Sequence, residues 1–157
     1  MSVHLGIDPG LTGAVALLTG PTAQTVRDMP VVTDGRSSTV SATLLADLLR
    51  ELTQALPERP TVFIERVASM PKQGVASTFS FGKSAGIVEG VVGALGLPYR
   101  LVTPGVWKRR ANLIGKPKDA SRALAITLYP EMAPRLTRKK DNGRAEALLI
   151  ARFGVEP

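Results

Sequence analysis

The 157-residue sequence has no cysteine, one histidine and only seven aromatic residues, a single Trp among them. Without cysteine there can be no disulfide and no thiolate metal site, and a lone histidine argues against a zinc-type ligand set. The absence of cysteine fits a reducing or a hot setting. No stretch approaches the ~18 uncharged apolar residues of a membrane span. The opening "MSVHLGID" lacks a basic lead-in to a signal-type segment, so a cytoplasmic protein is expected, bacterial or a phage protein in its host's cytoplasm. Low-complexity segments and internal repeats are also missing. What remains is 44% apolar, enough for one ordinary core, and residues 1–157 read as a single domain.

Charge is abundant and unevenly placed. Residues 1–99 carry 7 Lys and Arg against 8 Asp and Glu, whereas residues 100–157 carry 13 against 5. A half-chain this basic points to a polyanionic partner, most often nucleic acid, with a merely solvated surface as the plain alternative.

The pattern of apolar residues is α/β. "VHLGID" and "GAVALLTG" read as strands joined by the turn at Pro9–Gly13, and "QTVRDMP" as a third, shorter strand. "VVTDGRSS" is polar and turn-rich. Helical spacing of Val40, Leu44, Leu45, Leu48, Leu49 and Leu52 predicts a helix over 39–56. "TVFIE" is a short strand apolar on both faces, as a central strand should be. Residues 75–96 form a small-residue helix whose Gly82, Gly86, Gly90 and Gly93 permit close approach of another backbone. "YRLVT" is a further strand, and three helices follow, in "PGVWKRRAN", "KDASRALAITLYP" and "NGRAEALLIARFG". Three antiparallel strands followed by strands entered through helical crossovers predict a mixed five-stranded sheet with helices on both faces.

Chemistry resides in the carboxylates. Asp8 ends the first strand and Glu65 ends "TVFIE"; on neighbouring strands they would lie side by side, which is unfavourable without a counter-ion. Glu146 lies inside the last helix and Asp141 just ahead of it, where an N-cap role is the plain reading. Oxygen donors alone favour Mg²⁺ or Mn²⁺. Four carboxylates around two such ions would make a phosphodiester-cleaving site.

"GIDPG", "FIER" and "KKDNGRAEALLIA" together resemble the RuvC-like Holliday-junction resolvases of the RNase H-like superfamily. The likeness is greatest to the compact phage and chloroplast-type branch, which shares a "MPKQGV…TFSFG" segment and a Trp-Lys pair before a basic loop. The resemblance implies an RNase H-like fold and a Mg²⁺-dependent endonuclease that resolves four-way DNA junctions by paired nicks, leaving 5′-phosphate and 3′-hydroxyl ends. Two ions per site are implied, Mg²⁺ with Mn²⁺ possible, held by Asp8, Glu65, Asp141 and Glu146. Bacterial RuvC has an Asp or His three residues before the final acid, where this chain has Gly143; Asp141 is therefore assigned, with Asn142 as the fallback. Lys118, or alternatively Lys116, would stabilise charge on the scissile phosphate. DNA contacts are expected from Lys72, Gln73, Phe79, Phe81, Lys108, Arg109, Arg110, Lys116, Arg138, Lys139 and Lys140, with Trp107 read as packing. The resemblance also implies a homodimer through the helix near 75–96, matching a two-fold junction. A nuclease for other branched DNA or RNA–DNA hybrids, and a non-catalytic junction-binding module, are the competing expectations. An actin-like ATPase, suggested by "GIDPG", fails on length and on the lack of a second phosphate loop.

Overall fold

A computed structural model describes residues 1–156. Its centre is a five-stranded sheet built from β1 (Val3–Asp8), β2 (Ala14–Thr19), β3 (Thr22–Asp28), β6 (Thr61–Glu65) and β7 (Tyr99–Val102), in the order β3-β2-β1-β6-β7. β1 runs antiparallel to β2 and β2 to β3, while β1–β6 and β6–β7 are parallel. The expected mixed sheet is therefore the one observed. β1 and β6 carry apolar side chains on both faces because both faces are covered.

On one face, Leu5, Ile7, Val62 and Ile64 are buried with Leu45 and Leu49 of α1 (Ala42–Thr53) and Val88 and Val92 of α2 (Val75–Ala94). On the other lie α3 (Pro104–Arg110), α4 (Asp119–Leu128) and α5 (Asn142–Phe153), where Trp107, Tyr129 and Leu148 are fully buried. α5 is buried on most sides from Ala147 to Ala151 because it sits against the sheet and packs on α4, and its backbone comes unusually close to β1. A Cβ at Gly6 would overlap the Ala147 carbonyl and the Ala151 amide. Only a glycine in the middle of β1 allows α5 to seat there.

Three local features differ from the sequence reading. The stretch at 31–40 is a hairpin of β4 (Val31–Asp34) and β5 (Ser37–Val40), forming a separate two-stranded sheet. It is mostly exposed, so no buried face imprints alternation on the sequence. The first helix starts at Ala42, where Ser41 Oγ accepts from the Leu44 amide at 3.2 Å, and not at residue 39. α4 ends at Leu128, before Pro130, and short 3₁₀ turns follow at Pro130–Arg135 and Lys139–Asp141, where no element was predicted.

Candidate active site

The sheet itself brings the first two acids together. β1 and β6 pair in parallel with Ile7 opposite Ile64, so the next residues, Asp8 and Glu65, leave the sheet as neighbours at its C-terminal edge. The Gly10 amide lies 3.4 Å from Asp8 Oδ1. Glu65 Oε2 accepts a short hydrogen bond, 2.7 Å, from Trp107 Nε1. α5 supplies the third acid: Asn142 and Glu146 are one turn apart on it, and Asn142 Nδ2 donates to Glu146 Oε1 at 3.3 Å. These four residues line one cleft of about 650 Å³, with Lys118, Lys139, Lys140 and Phe81 also in its wall.

Gly143 fixes the seat of the helix start. A Cβ there would run into the Thr12 carbonyl, in the turn that follows Asp8. The first turn of α5 is thus pressed against the Asp8 turn, and no side chain can occupy the position three residues before Glu146. Glycine at this position thus has a steric cause.

Asp141 is placed otherwise than expected. Its side chain is buried and turned away from the cleft lining, accepting from the Arg138 backbone amide at 2.9 Å and from the Arg138 guanidinium at 2.8 and 3.2 Å. Arg144 lies 3.6 Å from the same carboxylate. The Arg138 hydrogen bonds hold the Asp141 carboxyl below its usual range. The carboxylate closes the 3₁₀ turn at 139–141 and joins the Arg138–Arg144 cluster. The fallback residue, Asn142, occupies the cleft, and its Oδ1 is buried with no hydrogen-bond partner.

The basic residues divide. Lys118, at the N-cap of α4, lines the cleft, whereas exposed Lys116 is not among its lining residues. Lys139 and Lys140 are exposed at the rim. Arg109 and Lys72 are exposed as well. Arg110 is engaged internally, its Nη1 donating to the carbonyls of Phe153, Gly154 and Val155 at 3.0–3.2 Å. Arg138 is held by Asp141, with about half of its side chain exposed. Gln73 Oε1 accepts from the Met70 amide, so this residue closes its own loop. Neither phenylalanine is in the core: Phe79 is 72% exposed, and Phe81 is 45% exposed in the cleft wall.

No family model matches the chain. Over 122 residues, 77% of its length, it is 34% identical to a chloroplastic Holliday junction resolvase of Chlamydomonas reinhardtii, and it spans 14% of that relative's length. Thermus thermophilus RuvC superimposes at a TM-score of 0.61, with 16% identity, over 96% of this chain and 93% of that one. T. thermophilus RuvC in complex with a Holliday junction substrate does so at 0.59, with 15% identity, over 98% and 94%. The chain has the RuvC-like fold.

In the cleft the acids raise one another's pKa values. Burial, then the charges of Glu65 and Glu146, raise the Asp8 carboxyl to about 7. Burial likewise raises Glu65 and Glu146. Lys108 opposes the rise at all three, and Lys118 opposes it at Glu146. Lys108, a candidate DNA contact, is half-buried beside this cluster, with Nζ 5.3 Å from the centroid of the Trp107 ring.

The donor set, three mutually repelling carboxylates and an amide oxygen without a partner, has the hard oxygen chemistry of a Mg²⁺ or Mn²⁺ site. Among the described residues, however, no group of three or more His, Asp or Glu is gathered closely enough to hold an ion. The acids line the cleft as an open set. Sequence reasoning missed the hydrogen bond from Trp107 to Glu65, visible only once β7 is known to lie beside β6. It gave Asn142 as the fallback, and the four-residue spacing to Glu146 is the same-face helical signal that accounts for its place in the cleft.

Proposed function

We propose that the chain is a metal-dependent endonuclease that cuts four-way DNA junctions. The observation that carries this reading is the convergence of Asp8, Glu65, Glu146 and Asn142 with Lys118 in one cleft of the RuvC-like fold. Asp8, Glu65 and Glu146 would hold Mg²⁺ or Mn²⁺, with Asn142 in the third position in place of Asp141. Such ions supply an activated water and stabilise the leaving 3′ oxygen, giving 5′-phosphate and 3′-hydroxyl ends. The chain's own part is to orient the carboxylates through the Gly10 amide and Asn142. Lys118 would place a positive charge beside the scissile phosphate. Lys139 and Lys140 at the rim, with Arg109, Lys116 and Lys72 beyond it, would meet backbone phosphates, and Phe81 or Phe79 would stack on an unpaired base.

Paired nicks need two copies. The exposed face of α2 supports a homodimer through this helix, because Gly82, Gly86 and Gly90 look onto open space. Residues 1–157 would then be one nuclease domain per protomer. Among the described residues no helix is long and apolar enough to cross a membrane. The proposal includes a place in a bacterial cytoplasm, the protein's own or that of a phage host.

The open arrangement of the acids favours one second reading, a non-catalytic junction-binding module. The test is a substrate panel of four-way junction, matched linear duplex and RNA–DNA hybrid, each with Mg²⁺ or EDTA. Symmetric Mg²⁺-dependent nicks confined to the junction support the resolvase. Tight junction binding with no cleavage under either metal supports the module, and preference for the hybrid would reassign the substrate.

A further inference from the structure

The chain's single tryptophan sits where an ordinary packing residue would, fully buried in the core between the sheet and α5. Its indole nitrogen nevertheless makes a 2.7 Å bond to Glu65 Oε2. A hydrogen bond to an ionised carboxylate is stronger than a neutral one, and an indole held by a core has no freedom to turn away.

The segment carrying Trp107 is fixed at both ends. β7 pairs with β6 so that Val102 lies opposite Glu65, and α3 therefore begins directly beside that acid. Thr103 Oγ1 caps the helix by accepting from the Val106 amide at 3.3 Å, and Pro104 opens its first turn. At the far end, Arg110 Nη1 reaches three carbonyls at 153–155, where α5 ends. The helix that bears Trp107 is thus tied to the strand bearing Glu65 and to the helix bearing Glu146 and Asn142.

We propose that Trp107 is a positioning residue for Glu65: its N–H engages Oε2 and fixes the carboxylate, presenting Oε1 to a divalent cation in the cleft. Lys108, the next residue, lies with its Nζ 5.3 Å from the centroid of the same indole ring. The inference rests on the metal-binding reading above and goes beyond it in naming what sets the ligand's orientation. Removing an outer partner of a metal ligand typically lowers metal affinity by roughly 10–100-fold.

The experiment replaces Trp107 with Phe and measures Mn²⁺ binding by electron paramagnetic resonance, alongside junction binding in EDTA. Weaker Mn²⁺ binding by about tenfold or more, with metal-free junction binding within twofold of wild type, is the expected result. Equal Mn²⁺ affinity in the two proteins overturns the positioning role and leaves the metal site standing. A wild-type protein that binds no Mn²⁺ overturns both. Should Trp107→Phe fold poorly, wild type and Glu65→Gln decide the matter, since a single tryptophan gives a single indole N–H resonance. That resonance should move on Mg²⁺ addition in wild type and lose most of the Mg²⁺ response in Glu65→Gln. An indole signal that ignores Mg²⁺ in wild type overturns the proposal.

Discussion

Replacing Asp8 by Asn should stabilise the metal-free protein at neutral and alkaline pH while leaving it unchanged in acid. The carboxyl of Asp8 is displaced from 3.8 to about 7 by burial and by the charges of Glu65 and Glu146. In the unfolded chain it ionises near its ordinary value. The native state thus retains the proton over the interval between the two values, and the group's contribution to stability is full below about pH 4. That contribution falls as pH rises through about 7. At 1.36 kcal/mol per tenfold, the native carboxylate above pH 7 is on the order of 4 kcal/mol less favourable than in the unfolded chain. Water at a half-buried group reduces this to roughly 2–4 kcal/mol. Asn is nearly isosteric, can still accept from the Gly10 amide, and carries no charge to repel its neighbours. The assay is thermal unfolding of both proteins in EDTA at pH 4.5 and pH 8. Asp8→Asn should melt on the order of 5–10 °C higher at pH 8 and within about 2 °C at pH 4.5. Mg²⁺ at pH 8 should raise the melting temperature of wild type only. A difference of the same size at both pH values, or none at either, would refute the idea that Asp8 is held in a repulsive cluster.

Asn142→Ala should reduce junction cleavage by two orders of magnitude or more with little change in melting. Asp141→Ala should instead cost stability, about 1–3 kcal/mol, by releasing Arg138 and Arg144; parallel denaturation and cleavage measurements separate the two, and the opposite ranking would restore Asp141 as the ligand. Gly6→Ala should destabilise the fold by about 3 kcal/mol or more in urea titration, because β1 and α5 must separate to admit a methyl group; a change below about 1 kcal/mol would mean the two backbones are not in close contact. Charge reversal at Lys139 or Lys140 should weaken junction binding and lower the slope of log affinity against log salt by about one per lysine, read from binding titrations at several salt concentrations; an unchanged slope would remove that lysine from the DNA contact.

Much of the fold is legible in the sequence because burial leaves a clear imprint there. β1, β2 and β6 are apolar runs closed by turn residues, and α1 and α5 carry helical spacing, so the mixed sheet and its flanking helices follow from periodicity and crossover rules. The β4–β5 hairpin left no such signature, since both of its faces are largely in solvent. Within the cleft, Asp8 and Glu65 stand out as charges that end buried strands. The assignment of Asp141 rested on likeness to the compact branch of the family. Only three dimensions reveal that Arg138 and Arg144 already neutralise it and that Gly143 presses the helix start against the Asp8 turn. A similar limit applied to Trp107 and Arg110. An aromatic residue in a core helix and an arginine in a basic run look ordinary in sequence, and their bonds to Glu65 and to the end of α5 span 42 and 43–45 residues.

Single-turnover cleavage of a synthetic four-way junction, with Mg²⁺ and with binding measured separately in EDTA, tests the cleft most directly when wild type and Asp8→Asn are compared. Wild type should nick the junction only with Mg²⁺, and Asp8→Asn should bind it at least as tightly while cutting at least a thousandfold more slowly. Cleavage by Asp8→Asn at the wild-type rate, or in EDTA by either protein, would contradict a metal-dependent site built on Asp8, Glu65 and Glu146.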